Sequence, residues 1–384
     1  MFEPLSVITE HLLLSVSENK FKCVHTTYEL ITFFLIASMM YPNPRQDYKR
    51  AIGFGVIGVL CAPQLFIMLC DIRERIQIKD TDNLFRQLII TVLLVYVYIK
   101  IFLTLNHNKK FRAIIDKVST DYESYNHLPE DYHVIVTETI EKCKKLEIIW
   151  ILMVICTGLA FILLAFVLTV LSQFSEEPRK YLIHESLIPI IEDLKYETPY
   201  FEILTVYGIY IVTIVVIAYT GFDGLFYITV LHASLKIKIY SHKITHLMDD
   251  EDIPTIKAKI GIIVKEQCDV YRFIKEIQSF YQFWLASVFT LVIIQISMGL
   301  SQTKAGSENT IIYFIFATVA SVNIFIPCYV ASDVTSTAGE VCNFLYDCKW
   351  ESVPDTSIRR SIVIMMACSQ IMQTAYSVYT LMIS

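Results

Sequence analysis

The chain has 384 residues, 54% of them hydrophobic and only 18% charged, with a net charge of −6 and a mean hydropathy of +0.51. An ordinary soluble protein carries about 25% charged residues, so this composition excludes a typical soluble domain and points to an integral membrane protein. No Pro/Gly/Ser-rich linker or low-complexity tract divides the chain, so one domain spanning residues 1–384 is expected.

The N-terminal MFEPLSVITE has no basic n-region and no cleavage site, so no removable signal peptide is expected. The first span would then act as its own insertion signal. Leu30–Met40 is apolar but has only 11 residues, too few to cross a bilayer. An interfacial or re-entrant helix is expected there, within an N-terminal segment 1–50, and Tyr41-Pro-Asn-Pro44 breaks it.

Seven longer apolar segments come after it: Ala51–Cys70, Leu84–Leu105, Ile148–Leu171, Ile203–Phe222, Phe280–Leu300, Thr310–Ser332 and Ser361–Ser384. Each reaches the roughly 20 residues a helix needs to cross hydrocarbon. A barrel would need strict alternation, which is absent. Arg86 and Lys100 lie near the ends of the second segment, where they are expected to snorkel to the headgroups.

Lys and Arg alternate in density between connections. The N-terminal segment and the second-to-third, fourth-to-fifth and sixth-to-seventh connections carry 23; the remaining connections carry seven. The positive-inside rule therefore places the N-terminus in the cytoplasm and the C-terminus outside, the reverse of a rhodopsin-type receptor. None of the ten cysteines falls in the outer connections 71–83, 172–202 or 301–309, so no disulfide framework is implied there.

The inner connections read as helices. Phe111, Ile114, Ile115 and Val118 recur at helical spacing between Asn108 and Tyr122. The apolar pattern of the fourth span continues through Phe226, Val230, Leu235 and Ile239, and Ile253–Tyr271 continues in the same style.

Few motifs suggest chemistry. Gly53-Phe-Gly-Val-Ile-Gly58 matches GxGxxG but lacks the preceding strand of a dinucleotide site. Ala51, Gly55, Gly58 and Ala62 instead form a small-residue stripe suited to close helix approach. His184-Glu185 lacks the second His of a zinc protease motif. Asp223 and His232 are expected at the wet inner boundary of the fourth span, with open backbone at Gly221 and Gly224. No phosphate loop, nucleophile–base pair or metal cluster stands out, so no cofactor and no enzyme activity are expected.

What remains is aromatic: 23 Tyr, 23 Phe and 3 Trp. With the topology imposed, Phe161 and Phe166 lie in the outer half of the third span, Tyr207 and Tyr210 near the top of the fourth, and Tyr313, Phe314 and Phe316 in the sixth. Aromatic walls with a few hydroxyls suit a small, mostly apolar ligand. The outer loop Gln173–Glu202, with seven acidic and three basic residues, is expected to shape access to it.

The C-terminal stretch runs LYDCKW, SIRR, MMACSQ and YSVYTLM in that order from Leu345 to Met382. It resembles the C-terminal signature of the insect odorant receptor family, and Pro199-Tyr-Phe-Glu202 is a weaker match ahead of the fourth span. The resemblance implies an all-α membrane protein of seven helices, N-terminus cytoplasmic, with cytoplasmic helical extensions. It implies an odorant receptor subunit in the plasma membrane of olfactory sensory neurons. That subunit would bind a small volatile odorant and open a cation channel as a hetero-tetramer with a shared co-receptor. Membrane lipid is the other partner, and nucleic acid is not one.

The family places the ligand in the outer half of the bundle, among the second, third, fourth and sixth helices. The resemblance thus raises Phe161, Tyr207, Tyr210, Tyr313 and Phe316 as a group. Residues 339–360 match the cytoplasmic subunit anchor, with Tyr346, Cys348, Trp350, Arg359 and Arg360 as candidates; the two arginines would sit at a membrane edge. Relatives carry a further run between the MM..SQ stretch and the closing aromatic segment. Here Met365–Gln370 is followed almost at once by Tyr376–Leu381, a gap of roughly 30 residues or about 45 Å of helix. The last span, 361–384, is thus shortened. Within the same superfamily a gustatory receptor is the alternative reading. A G-protein-coupled chemoreceptor and a small transporter are the alternatives from other classes; topology argues against the first, and a transporter would show internal repeats.

Overall fold

Backbone amides cannot remain unpaired in hydrocarbon, and a helix pairs them within one segment. A computed structural model of the chain describes residues 20–43, 47–174, 178–188, 191–249, 252–305 and 310–383, and every regular element among them is a helix. In chain order these are α1 (Val24–Thr27), α2 (Glu29–Ala37), α3 (Asp47–Ile78), α4 (Thr81–Asn106) and α5 (Asn108–Tyr125). Then come α6 (Glu130–Ser172), α7 (Tyr200–Thr245), α8 (Ile253–Ala305), α9 (Thr310–Asp347), a 3-10 turn (Trp350–Ser352) and α10 (Thr356–Ile383). Each predicted span falls inside one of the long helices, except that Ser384 at the end of the last lies outside the described residues. Among the described residues six of them, α3, α4 and α6 to α9, contain stretches long and apolar enough to cross a membrane.

Helix length exceeds what a membrane requires. At 46 and 53 residues, α7 and α8 run for about 69 and about 80 Å, against a hydrocarbon core of about 30 Å. The surplus is the predicted helical extension after the fourth span and before the fifth, continuous with them. Burial reverses between the two ends of α7. Every residue from Ala218 to Ile237 is buried, whereas Ile203 and Val206 are exposed. A helix buried on all sides sits at the centre of its bundle, and α7 is packed by α2, α4, α5, α6, α8 and α9. Exposed Val59, Phe66, Leu163, Phe166 and Phe314 stud the outer faces of the spans, where lipid tails replace water.

The extensions form an interior of their own. Phe111 stacks on Phe280 at 4.9 Å, Phe222 meets Trp284 at 5.6 Å, and Phe226 meets Tyr281 at 4.9 Å. The predicted stripe Phe111, Ile114, Ile115 and Val118 is fully buried on α5. The short helix α2 lays Ile31 and Leu35 on α7 and keeps Leu30 and Phe33 exposed. Glu147 of α6 accepts from the Ile31 amide at 3.0 Å, which satisfies a donor at the start of α2.

Four sequence expectations are corrected here. Lys100 does not snorkel: its ammonium is fully buried and pairs with Asp223 at 2.8 Å. Asp223 is therefore not at a wet boundary. Neither is His232, which is fully buried and 3.0 Å from Asp121. The backbone at Gly221 and Gly224 is not open. A Cβ on Gly221 would lie 2.9 Å from the Leu35 amide, and one on Gly224 would strike Ile31, so both glycines exist to admit α2. The stripe of α3 receives no close-packed helix at Gly55 or Gly58: apart from α3's own backbone, no atom of the described residues lies within 4 Å of a Cβ built at either.

Candidate functional site

Six helices leave a cavity of about 130 Å³ between them in the membrane-spanning half of the bundle. The register of each lining stripe is helical. Met153, Val154, Thr157, Gly158 and Phe161 of α6 repeat at i, i+1, i+4, i+5, i+8, and so do Ile211, Val212, Val215, Val216 and Tyr219 of α7. Ile89, Ile90, Leu93 and Leu94 of α4, Gln295 of α8, Val319, Ala320 and Asn323 of α9, and Met68 of α3 complete the wall. Gly158 sets the gap between α6 and α7, because any Cβ there would overlap Val216.

Polar groups are few. Thr157 donates its hydroxyl to Met153 O at 2.8 Å, and Gln295 donates its amide to Ile89 O at 3.0 Å. The Tyr219 hydroxyl is buried and has no hydrogen-bond partner among the described residues. Tyr219 and Asn323 also line a second, much smaller void beside Lys100, Asp223 and Trp284. Tyr219 thus separates the apolar cavity from the buried ion pair, with Lys100 Nζ 3.5 Å from its ring centroid.

Phe161 lines this cavity. Tyr207 and Tyr210 stack on each other and pack against a neighbouring cluster of α3 around Cys61. The Tyr207 hydroxyl accepts from the Gln64 amide at 3.2 Å and donates to Leu60 O at 2.8 Å. Those two backbone groups are four residues apart, the pair that α-helical bonding would join. Tyr207 therefore inserts into the ladder of α3, beside Pro63. The side chains of Tyr313 and Phe316 lie outside the described residues. Sequence reasoning missed Tyr219, Thr157, Gln295 and Asn323. The α6 and α7 stripes are visible as helical periodicity, but nothing local shows that they face one another.

The anchor candidates separate by burial. Cys348 is buried and donates its thiol to Leu345 O at 3.1 Å, and Trp350 is half-buried. Arg359 is held by the chain itself, donating to Val353 O at 2.7 Å and Glu351 O at 2.9 Å. This closes the turn between the 3-10 segment and α10. Asp355 caps α10 through the Ser357 amide and pairs with Lys257 at 2.6 Å. Tyr346 and Arg360 remain exposed.

The sequence model of the 7tm odorant receptor family matches residues 80–383. The structure is similar to that of the insect olfactory receptor OR5 from Machilis hrabei. The TM-score is 0.72 at 16% identity, over 89% of this chain and 88% of that one. Against the same receptor in complex with eugenol the TM-score is 0.69 at 14% identity, over 94% of this chain and 99% of that one. No curated protein matches the chain by sequence.

Proposed function

The chain belongs to the 7tm odorant receptor family, and from that premise we propose that it is an odorant-binding subunit whose ligand occupies the cavity bounded by α3, α4, α6, α7, α8 and α9. The observation that carries this reading is the cavity itself: apolar walls, few polar groups and a volume of about 130 Å³. Its size is close to that of an engineered apolar cavity of about 150 Å³ that binds benzene. The ligand is a small volatile with an apolar body. The similar fold of a receptor that has been solved with eugenol supports that class.

The subunit works in the plasma membrane of olfactory sensory neurons and gates a cation channel as a hetero-tetramer with a shared co-receptor. Residues 339–360 contribute to the subunit anchor through their exposed positions Tyr346 and Arg360. The termini are oriented with the N-terminus in the cytoplasm, a reading supported by the 23-to-seven distribution of basic residues.

Cells expressing the chain with the co-receptor, challenged with a panel of volatiles, test the function. An odorant-evoked cation current that shifts in sensitivity with cavity variants is expected. Surface-expressed channels whose responses ignore every cavity substitution would move the ligand elsewhere. Tags at both ends, stained without permeabilisation, test the orientation; a surface-exposed N-terminus with a hidden C-terminus would overturn it.

A further inference from the structure

The end of α7 and the start of α6 meet at a group of side chains that the ligand cavity does not use. His242 and His246 are separated by four residues, so they share one face of the last turn of α7 and its cap. Their rings are 5.0 Å apart. Asp131, in the first turn of α6, places Oδ2 at 2.8 Å from His242 Nε2. One ligand atom from each of the three lies within 4.8 Å of the other two. We infer that Asp131, His242 and His246 form a binding site for a divalent transition metal of the zinc type.

Three observations favour a metal over a plain surface ion pair. The donor set is two imidazole nitrogens and one carboxylate oxygen, the N/O combination that zinc takes with three protein ligands and water in the fourth position. His246 Nδ1 is 2.8 Å from Asp249 Oδ2. A carboxylate on one ring nitrogen fixes the tautomer and presents the other nitrogen, as is usual behind metal-bound histidines. His242 is oriented as well, by Tyr132 packed edge-on at 4.6 Å. In a tetrahedral zinc site the ligand atoms stand about 3.3 Å apart, so closure needs only small rotations of side chains. Asp131 and His246 are exposed and free to make them.

The consequence is mechanical. A bound ion would tie the first turn of α6 to the last turn of α7, where α7 leaves for the connection to α8. Asp131 and His242 are 111 residues apart, so the chemistry arises only in the folded chain. The inference does not depend on the odorant receptor reading.

Purified full-length receptor in detergent, stripped with chelator, provides the test. Titration with zinc by calorimetry is expected to show one saturable site and a rise in melting temperature. The H242A/H246A double variant and D131N should each weaken binding by about tenfold or more. Cobalt in place of zinc should give weak ligand-field bands without the intense thiolate charge-transfer band of a cysteine site. The inference fails if wild-type binding is no tighter than that of the double variant. It also fails if a thiolate band persists in that variant, which would assign the metal to cysteines. Because Asp131 and His246 are exposed and His242 is half-buried, gel-filtration profiles of the variants should match wild type; if H242A/H246A aggregates, D131N read against D249N decides, with D131N the weaker binder.

Discussion

Lys100 and Asp223, 123 residues apart, close an ion pair at 2.8 Å with both side chains buried, directly beside the wall of the apolar cavity. An ion pair at this depth is costly to assemble, and removing one partner strands the other charge. The Tyr219 ring is the only side chain that both lines the cavity and lies against the Lys100 ammonium among the described aromatic contacts.

Breaking the pair by Lys100→Met or Asp223→Asn alone is expected to destabilise the protein by about 3–5 kcal/mol. Replacing both with apolar residues of similar volume should recover most of that loss. Melting temperature in detergent, with surface level in cells, reads the outcome. A single variant that melts like wild type would show that the remaining charge finds water or another partner.

Cavity residues should set odorant sensitivity, and neighbouring aromatic residues should not. Phe161→Ala removes one aromatic wall and is expected to shift half-maximal concentration by about 5- to 150-fold, equivalent to about 1–3 kcal/mol. Gly158→Ala would force Val216 into the cavity and should exclude the larger ligands of a series first. Tyr219→Phe deletes only the unpartnered hydroxyl and should cost oxygenated ligands about 2- to 12-fold while sparing hydrocarbons. Tyr207→Ala, by contrast, should lower surface level through the ladder of α3. Equal effects of Phe161→Ala and Tyr207→Ala on selectivity would contradict this division.

Acid should loosen the inner bundle through Asp121. Burial pushes this carboxyl up, but hydrogen bonds and charge from His232 and Lys236 outweigh it and bring it down to about 2. A depressed carboxylate stabilises the fold above its unfolded pKa of about 3.9, and the contribution disappears as pH falls through the folded value. The wild type should therefore lose on the order of 2 kcal/mol between about pH 4 and pH 2 from this group. Asp121→Asn should be less stable at neutral pH and flatter across that window. Parallel pH profiles for the two proteins would remove Asp121 from the account.

The last helix is expected to limit channel activity. α10 has 28 residues, about 42 Å of helix, with its first turns engaged by Asp355 and Arg359. The rest of α10 suffices for one crossing, or for an anchor with a remainder too short to cross. The chain with this short helix should give little or no odorant-gated current with the co-receptor. Inserting, between Gln370 and Tyr376, the block of roughly 30 residues that the resemblance in sequence implies should restore it. Robust current from the unmodified chain would show that the short helix performs both tasks.

The sequence by itself determined the elements. Runs of about 20 apolar residues leave the backbone no option in lipid but the helix. The 3.6-residue stripe of Phe111, Ile114, Ile115 and Val118 set which face of α5 is buried, and the ordered motifs from Leu345 to Met382 pointed to the family. Those signals are local, carried by neighbours along the chain. Whether an aromatic residue faces a cavity, a partner helix or lipid is not local. Phe161 and Tyr207 read alike in sequence, yet one lines the cavity and the other inserts into α3. Lys100 near the end of an apolar run reads as a snorkelling residue until Asp223 is placed beside it. Glycines 221 and 224 read as an open backbone until α2 is seated on them. Pairing over more than 100 residues depends on helix rotation and depth, and only the packing of all the helices around α7 sets both.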